Sequence, residues 1–362
     1  MKNVRLMLTA LLLITGIAIQ AQEIRSYSNE FLTLGVGARG LAMGTVQSAS
    51  VSDVTAAYWN PAGLNAVNNS QVGVMHAEWF AGIGKYDYFG FAKPIDYGNK
   101  AIGLSIIRFG VDDIPNTLNV IDPDGNVNYD NITTFSAADY AAILSYAFNF
   151  RDFRVGANAK VIHRRVGSFA KSWGFGLDVG AQYDVSDQLS LGLTIKDLTT
   201  TFNAWSFDFT EEEKAVLALT DNVIPVSSVE LTGQRVIFGA AYDFTLGEKL
   251  GLLAAIDLDI TFDERNTLIH SSALSIDPHI GLELDYKDFI YLRTGINNIQ
   301  RYLDDTDPTK EVLSIQPSLG LGIRVNRITI DYAFTGLNKV DLGVYSNVFS
   351  LKFDLGEQTT QN

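Results

Sequence analysis

Between Ser70 and Leu355 apolar and polar residues alternate one for one, in about fourteen segments separated by turn residues. From Trp173 to Val185, the residues Phe175, Leu177, Val179, Ala181, Tyr183 and Val185 share one face, and Gly176, Asp178, Gly180, Gln182 and Asp184 share the other. The stretches Leu189–Lys196, Leu252–Ile260, Leu319–Arg324 and Ile328–Thr335 repeat the pattern. A period of two is strand geometry, with one apolar and one polar face per strand. Soluble sandwiches alternate too, but their strands average about 5–6 residues. The runs here extend over about 10–14, the length that crosses a bilayer at a steep tilt. Charges are nearly absent from the apolar faces, where a Lys or Arg at the membrane midplane costs about 2–4 kcal/mol.

The connections give an independent reading. Tight turns fall at Asp96–Asn99, Arg151–Asp152, Asp184–Asp187, Leu246–Glu248, Lys287–Asp288 and Asn326. Between them lie long connections: Val111–Thr134, Thr199–Gly233, Asp263–Ala273, Asn298–Glu311 and Asn338–Gly343, with Val166–Lys171 a shorter member of the set. With a first strand near Gln71–Phe80 and a last near Tyr345–Asp354, the count is even and both chain ends fall on the tight-turn side. The sequence therefore predicts an all-β fold, a 14-stranded antiparallel transmembrane barrel over 70–355. Short turns and both termini would be periplasmic and the long loops extracellular, as in outer-membrane barrels. The aromatic-rich last strand (Phe349, Phe353) suits insertion machinery, although Asp354–Asn362 follow it.

The first residues read as a secretory signal peptide, 1–21: Lys2 and Arg5, an apolar run from Leu6 to Ile19, then Ala21. The run is shorter than the roughly 18 residues of a membrane span. The chain has no cysteine, so neither a disulfide framework nor a lipid-modified cysteine is available. Of all residues 47% are hydrophobic, high for an exported soluble protein and natural for strands with a lipid face. Net charge is −14, and −16 once Lys2 and Arg5 are removed, which argues against a nucleic-acid partner.

Residues 22–69 break the alternation. They are rich in Gly, Ala and Ser, too many for a linker, and predict a hatch folded into the barrel lumen; 356–362 form a short tail. Inward glycines (Gly176, Gly180, Gly192, Gly281, Gly320, Gly322) either leave room for such a plug or mark curvature and bulges. Gly35, Gly37 and Gly40 also match a dinucleotide-binding fingerprint, but that motif needs a βαβ setting this all-β chain does not offer. The run Gly37-Ala38-Arg39-Gly40-Leu41-Ala42-Met43-Gly44, followed by Ala56-Ala57-Tyr58-Trp59-Asn60-Pro61-Ala62-Gly63-Leu64, resembles the PorV/PorQ family, a Bacteroidota branch of the FadL-type outer-membrane proteins. The resemblance implies a fourteen-stranded barrel with a hatch, and a non-enzymatic part in type IX secretion. More distant FadL-type relatives pass hydrophobic compounds through the hatch region. This chain departs from PorV proper at Gly35–Ala38 and at Gly63.

No catalytic, cofactor or metal constellation stands out. The four histidines (His76, His163, His270, His279) are scattered, and no nucleophile motif occurs. Charges on the polar faces, among them Lys160, Asp178, Lys196, Asp257, Glu283, Arg293 and Asp331, suit a network that pairs across strands or holds a plug. Thr199–Gly233 is the most distinctive outer loop. Phe202, Trp205, Phe207 and Phe209 lead into Thr210-Glu211-Glu212-Glu213, a capping box opening a short helix to about Leu219. Its Val216, Leu217 and Leu219 would cover the barrel mouth or dock a partner.

Architecture and resemblance together lead to an expectation of a non-catalytic outer-membrane subunit of a multiprotein export or assembly machine. Its partners would be outer-membrane lipid and other outer-membrane or periplasmic proteins. The competing expectation is a passive transporter of hydrophobic small molecules, with a ligand or lipid pocket beside Asn60–Leu64. The inward faces in view, mostly small and polar, weigh against the second.

Overall fold

The computed structural model describes residues 28–120, 126–218, 227–303, 310–336 and 345–356. Its strands are β1 (Gln71–Trp79), β2 (Gly84–Ile95), β3 (Lys100–Asn116), β4 (Thr133–Phe150), β5 (Phe153–Val166), β6 (Ala170–Asp184), β7 (Leu189–Lys196), β8 (Thr201–Phe207), β9 (Ser227–Thr232), β10 (Arg235–Thr245), β11 (Leu250–Thr261), β12 (Ile269–Ser271), β13 (Leu274–Tyr286), β14 (Ile290–Leu303), β15 (Glu311–Val325), β16 (Ile328–Thr335) and β17 (Ser346–Asp354). Every pairing among the described residues is antiparallel, and β1 pairs with both β2 and β17, so the sheet closes on itself. β7 and β8 lie end to end along β6, β9 and β10 make the next span, and β12 is a short arm on β13. The wall is thus a closed barrel of fourteen strands. Closure removes every sheet edge along the completed seam, Gln71–Glu78 against Asn347–Asp354.

The alternation places side chains as the sequence implies. Phe175 and Leu177 face outward, while Asp178 and Gln182 are buried inside. Large apolar residues such as Phe89, Ile106, Leu144, Leu292, Leu321 and Phe349 cover the outer surface. That surface would be costly in water and is matched to lipid. Both ends of the barrel chain, Gln71 and Asp354, are paired at the short-turn end.

Three details differ from the sequence reading. β3 and β4 continue to Asn116 and from Thr133, past a bulge between Val111 and Ile114, so that loop is shorter than Val111–Thr134. β14 runs on to Leu303 beyond an irregularity after Asn297. Thr199–Gly233 is not simply a loop: Phe202, Trp205 and Phe207 lie in β8, which extends the wall. The expected signal peptide and the Asn338–Gly343 loop lie outside the described residues.

Candidate functional site

Residues 28–69 occupy the lumen. Two short helices, α1 (Ala38–Ala42) and α2 (Ala56–Trp59), and a 3-10 turn over Pro61–Ala66 account for most of the segment's regular structure. Small side chains let its backbone press on the wall. A Cβ on Gly180 would strike Asn60, on Gly192 the Ser48 carbonyl, on Gly281 the Met43 carbonyl and on Gly320 the Ala42 methyl. These four inward glycines therefore make room for the hatch. Gly176 and Gly322 instead abut wall side chains, Thr201 and Asp331 respectively.

The motif residues are one packed unit. Gly37 and Gly44 have positive φ (79° and 64°), and Gly44 lies on the Ile296 backbone where a Cβ has no room. Gly40 lies flat against the Trp59 ring, whose Nε1 donates to the Val36 carbonyl (3.0 Å). Asn60 is completely buried: its Nδ2 donates to the carbonyls of Ser48 (2.7 Å) and Ala181 (3.1 Å), and its Oδ1 accepts the Ala62 N–H (3.1 Å). Asn60 thereby caps the turn that Pro61 opens and ties it to β6. Ala62 and Gly63 are buried beneath it, Gly63 against Val51. The glycine fingerprint is packing, not a phosphate cradle.

Charged side chains pin the hatch to the wall. Arg39 makes a bidentate pair with Glu283 of β13 (2.9 and 3.0 Å), and Glu283 also pairs with Arg293, which reaches Asp331 (2.6 Å). Asp53 pairs with Lys352 of β17 (2.8 Å). Asp257 of β11 accepts the backbone N–H groups of Gln47 (2.9 Å) and Ser48 (3.0 Å). Burial alone would push the Asp53 carboxyl up, but the Lys352 ammonium overrides it and holds the group well below the usual carboxylate range. The same balance, with Glu283 as the opposite charge, holds the Arg39 guanidinium above its ordinary value. Of the polar-face charges singled out in the sequence, Asp257 and Glu283 hold the hatch, with Arg293 and Asp331 behind Glu283; Lys160 and Asp178 pair with each other (2.7 Å), and Lys196 makes no ion pair among the described residues.

Two cavities lie on either side of this plug. One, of about 460 Å³, opens at the short-turn end and is polar, bordered by Arg39, Asp53, Glu283, Arg293, Asp331 and Lys352. The other, of about 380 Å³, is mixed: Leu32, Tyr58, Ile143 and Phe262 give it apolar surface, and Lys160, Asp178, Lys196, Asp197, Arg235 and Arg265 border it with charge. Its floor is fixed by the Tyr58 hydroxyl, which donates to the Leu32 carbonyl (2.6 Å) and accepts the Gly35 N–H (3.1 Å). The Lys196 ammonium lies over the Tyr58 ring, 4.1 Å from its centroid.

The inner face is two-sided, which the sequence reading missed. On β2–β5 the buried inward residues include Tyr86, Tyr88, Ile107, Ile143 and Ile162, so the lumen carries large apolar side chains there, beside Asn158 and Lys160, and is ionic on β13–β17. Beside the cavity of about 380 Å³, at Gly233 and Phe262, the wall is interrupted. Asp197 and Thr200 adopt left-handed φ (55° and 61°) between β7 and β8, and Gly233–Gln234 separate β9 from β10. β10 parts from β11 above Arg235 and Thr261, and among the described residues β9 pairs only with β8. The signal was present as the end of alternation after Lys196.

The outer aromatic residues divide. Phe202 faces outward on β8; Trp205 turns inward beneath Arg164, whose guanidinium lies 5.1 Å from its ring. Phe207, Phe209 and Phe169 stack in a stair at the rim. The capping box forms in both directions, Glu213 N–H to Thr210 Oγ1 (3.2 Å) and Thr210 N–H to Glu213 Oε2 (2.8 Å). The helix it opens, α3 (Glu211–Ala218), buries no residue fully; Val216 and Leu217 are half-buried and Leu219 lies outside the described residues.

Comparison with known proteins agrees with this architecture. The Ralstonia pickettii toluene transporter TbuX superposes with a TM-score of 0.52 at 13% identity, over 88% of this chain and 98% of that one. A Pseudomonas aeruginosa FadL homologue gives 0.53 at 15% identity, over 89% and 98%. The fold is FadL-like. The CymD monoaromatic hydrocarbon channel has the same FadL-like arrangement, with a TM-score of 0.57 at 12% identity over 90% and 98%. No protein-family model and no curated protein matches the sequence.

Proposed function

We propose that this chain is a passive outer-membrane transporter of small hydrophobic molecules. The observation that carries the reading is the cavity of about 380 Å³ above the hatch, floored by Leu32 and Tyr58 and placed against an interrupted stretch of wall. Its size falls in the range of small-molecule sites, and Leu32, Tyr58, Ile143 and Phe262 offer apolar contact beside a charged border. The short-turn end faces the periplasm and the long loops face outward, following the usual arrangement of such barrels. A solute entering between the long loops comes to rest on Leu32 and Tyr58. Straight passage is closed by the packed hatch, so the solute leaves sideways past Gly233, Gln234 and Phe262. The named structural neighbours that transport toluene or conduct monoaromatic hydrocarbons support this substrate class.

The test is uptake of radiolabelled toluene by cells that carry the chain in an outer membrane lacking other such channels. A Cβ on Gly233, which borders the cavity, would meet nothing within 4 Å, so Gly233→Trp adds bulk at the cavity's edge without straining the backbone there. Uptake several-fold above vector, abolished by Gly233→Trp in a correctly folded barrel, is expected. Uptake no greater than vector for the native chain rejects the reading.

A second reading, a subunit of an export machine as the PorV/PorQ resemblance implies, is favoured by the rim: α3 stands with no buried residue beside the aromatic stair. Affinity purification in mild detergent tests it, and recovery of the barrel alone rejects it.

A further inference from the structure

Charge on the outer face is unevenly paired at the long-loop end. Lys85 pairs with Asp112 (3.2 Å) and Arg108 with Asp87 (3.2 Å), so these outward cations are neutralised within the wall. Arg165 of β5 and Lys171 of β6 are not. They are direct cross-strand partners, both exposed, and like charges directly opposite one another are destabilising. Arg165 Nε donates to the Gly167 carbonyl (2.8 Å), and among the described residues no ion pair reaches either cation. Asp139 beside them is turned to Arg164 (2.9 Å), and the exposed Asp208, beyond the end of β8, makes no ion pair with either cation among the described residues.

Below the two cations the same strands carry an ordered gradient. The next outward pair is His163 and Trp173, stacked with centroids 4.3 Å apart. Then come Val161 with Phe175 and Ala159 with Leu177, and Phe202 of β8 lies 5.8 Å from Phe175. Trp173, Phe175, Leu177 and Phe202 are 43–52% exposed. Two cations over an aromatic pair over an apolar strip is the profile of a phosphorylated amphiphile lying along the wall. The Arg fork suits phosphate oxygens and Trp suits the membrane interface. The connection above, Gly167–Phe169, is too short to cover the cations.

We propose that the outward face of the β5–β6 hairpin is a binding site for the phosphate groups of a membrane glycolipid, with its acyl chains on Val161, Phe175 and Leu177. The proposal uses the orientation given above but not the transport reading. It is tested by native mass spectrometry of the purified barrel with diphosphorylated lipid A, fully dephosphorylated lipid A and inorganic phosphate as probes. Expected results are retained diphosphorylated lipid, at least tenfold weaker retention in Arg165→Gln/Lys171→Gln, and a similar loss for the dephosphorylated lipid. Lys93→Gln, an exposed cation at the other end of β2, leaves retention unchanged. Equal retention by the double variant, shown folded by its heat-shifted gel mobility, overturns the proposal. So does displacement of the lipid by millimolar inorganic phosphate, which marks a free-phosphate site instead.

Discussion

The Arg39–Glu283 pair sets how firmly the hatch is held, and its removal should be measurable. Arg39→Met keeps much of the side-chain volume but deletes both hydrogen bonds to Glu283. Breaking a buried ion pair by removing one partner costs about 3–5 kcal/mol. Two features reduce that figure. The side chains are 22% and 11% exposed to the polar cavity, and Glu283 keeps Arg293 as a second partner. About 2 kcal/mol is the working value, or roughly a 30-fold rise in the hatch-opening equilibrium. Hydrogen exchange on the barrel in nanodiscs reads this directly: amides of 38–64 should exchange about 30-fold faster, while amides of β3–β6 hold their rates. Unchanged hatch exchange in the single variant, or acceleration spread equally through the wall, would refute the latch.

The Asp53–Lys352 pair adds a pH dependence. Asp53 has a lowered carboxyl in the folded state, so its contribution is complete above the ordinary value near 3.9 and is lost as pH falls below it. Hatch protection should therefore be flat from neutral pH to about 4 and decline below, and Asp53→Asn should reduce the acid decline, leaving the part that protonation of Glu283 contributes; a decline identical with and without the substitution removes Asp53 as a cause. Gly192→Leu should unseat the hatch, since a side chain there meets the Ser48–Ala49 backbone, and overpacking of this kind costs about 1–3 kcal/mol. Protease cleavage within 45–65 should appear in that variant while the barrel stays intact, and its absence would mean the backbone yields at that point.

Much of the barrel could be read from the sequence because lipid imposes a one-for-one alternation that water does not, and because turn lengths alternate with strand direction. The ends of the long strands were less legible: β3 and β4 run past a bulge, and alternation slips by one residue there. The hatch was visible as a break in the pattern, but its seat was not. Gly180 and Gly192 read identically to Gly176 in sequence, and only the partner across the lumen separates a glycine that admits Asn60 from one that abuts Thr201. The cavity was hidden for the same reason. Leu32, Tyr58, Ile143 and Phe262 are far apart along the chain and meet only when the hatch is inside. The inward faces quoted from β6, β7 and β15 were small and polar, whereas Tyr86, Ile107 and Ile162 line the other half.

The seam between β1 and β17 has a consequence for the order of assembly. β1 is the first wall strand made and its partner is the last, so it waits with one edge open until Ser346–Asp354 arrives. The hatch waits with it. The Ala38 N–H is received by Ser350 Oγ (3.1 Å) and Asp53 by Lys352, both on that final strand. A chain that stops before Ser346 therefore loses the seam and two hatch anchors together, and keeps those to β6, β11 and β13.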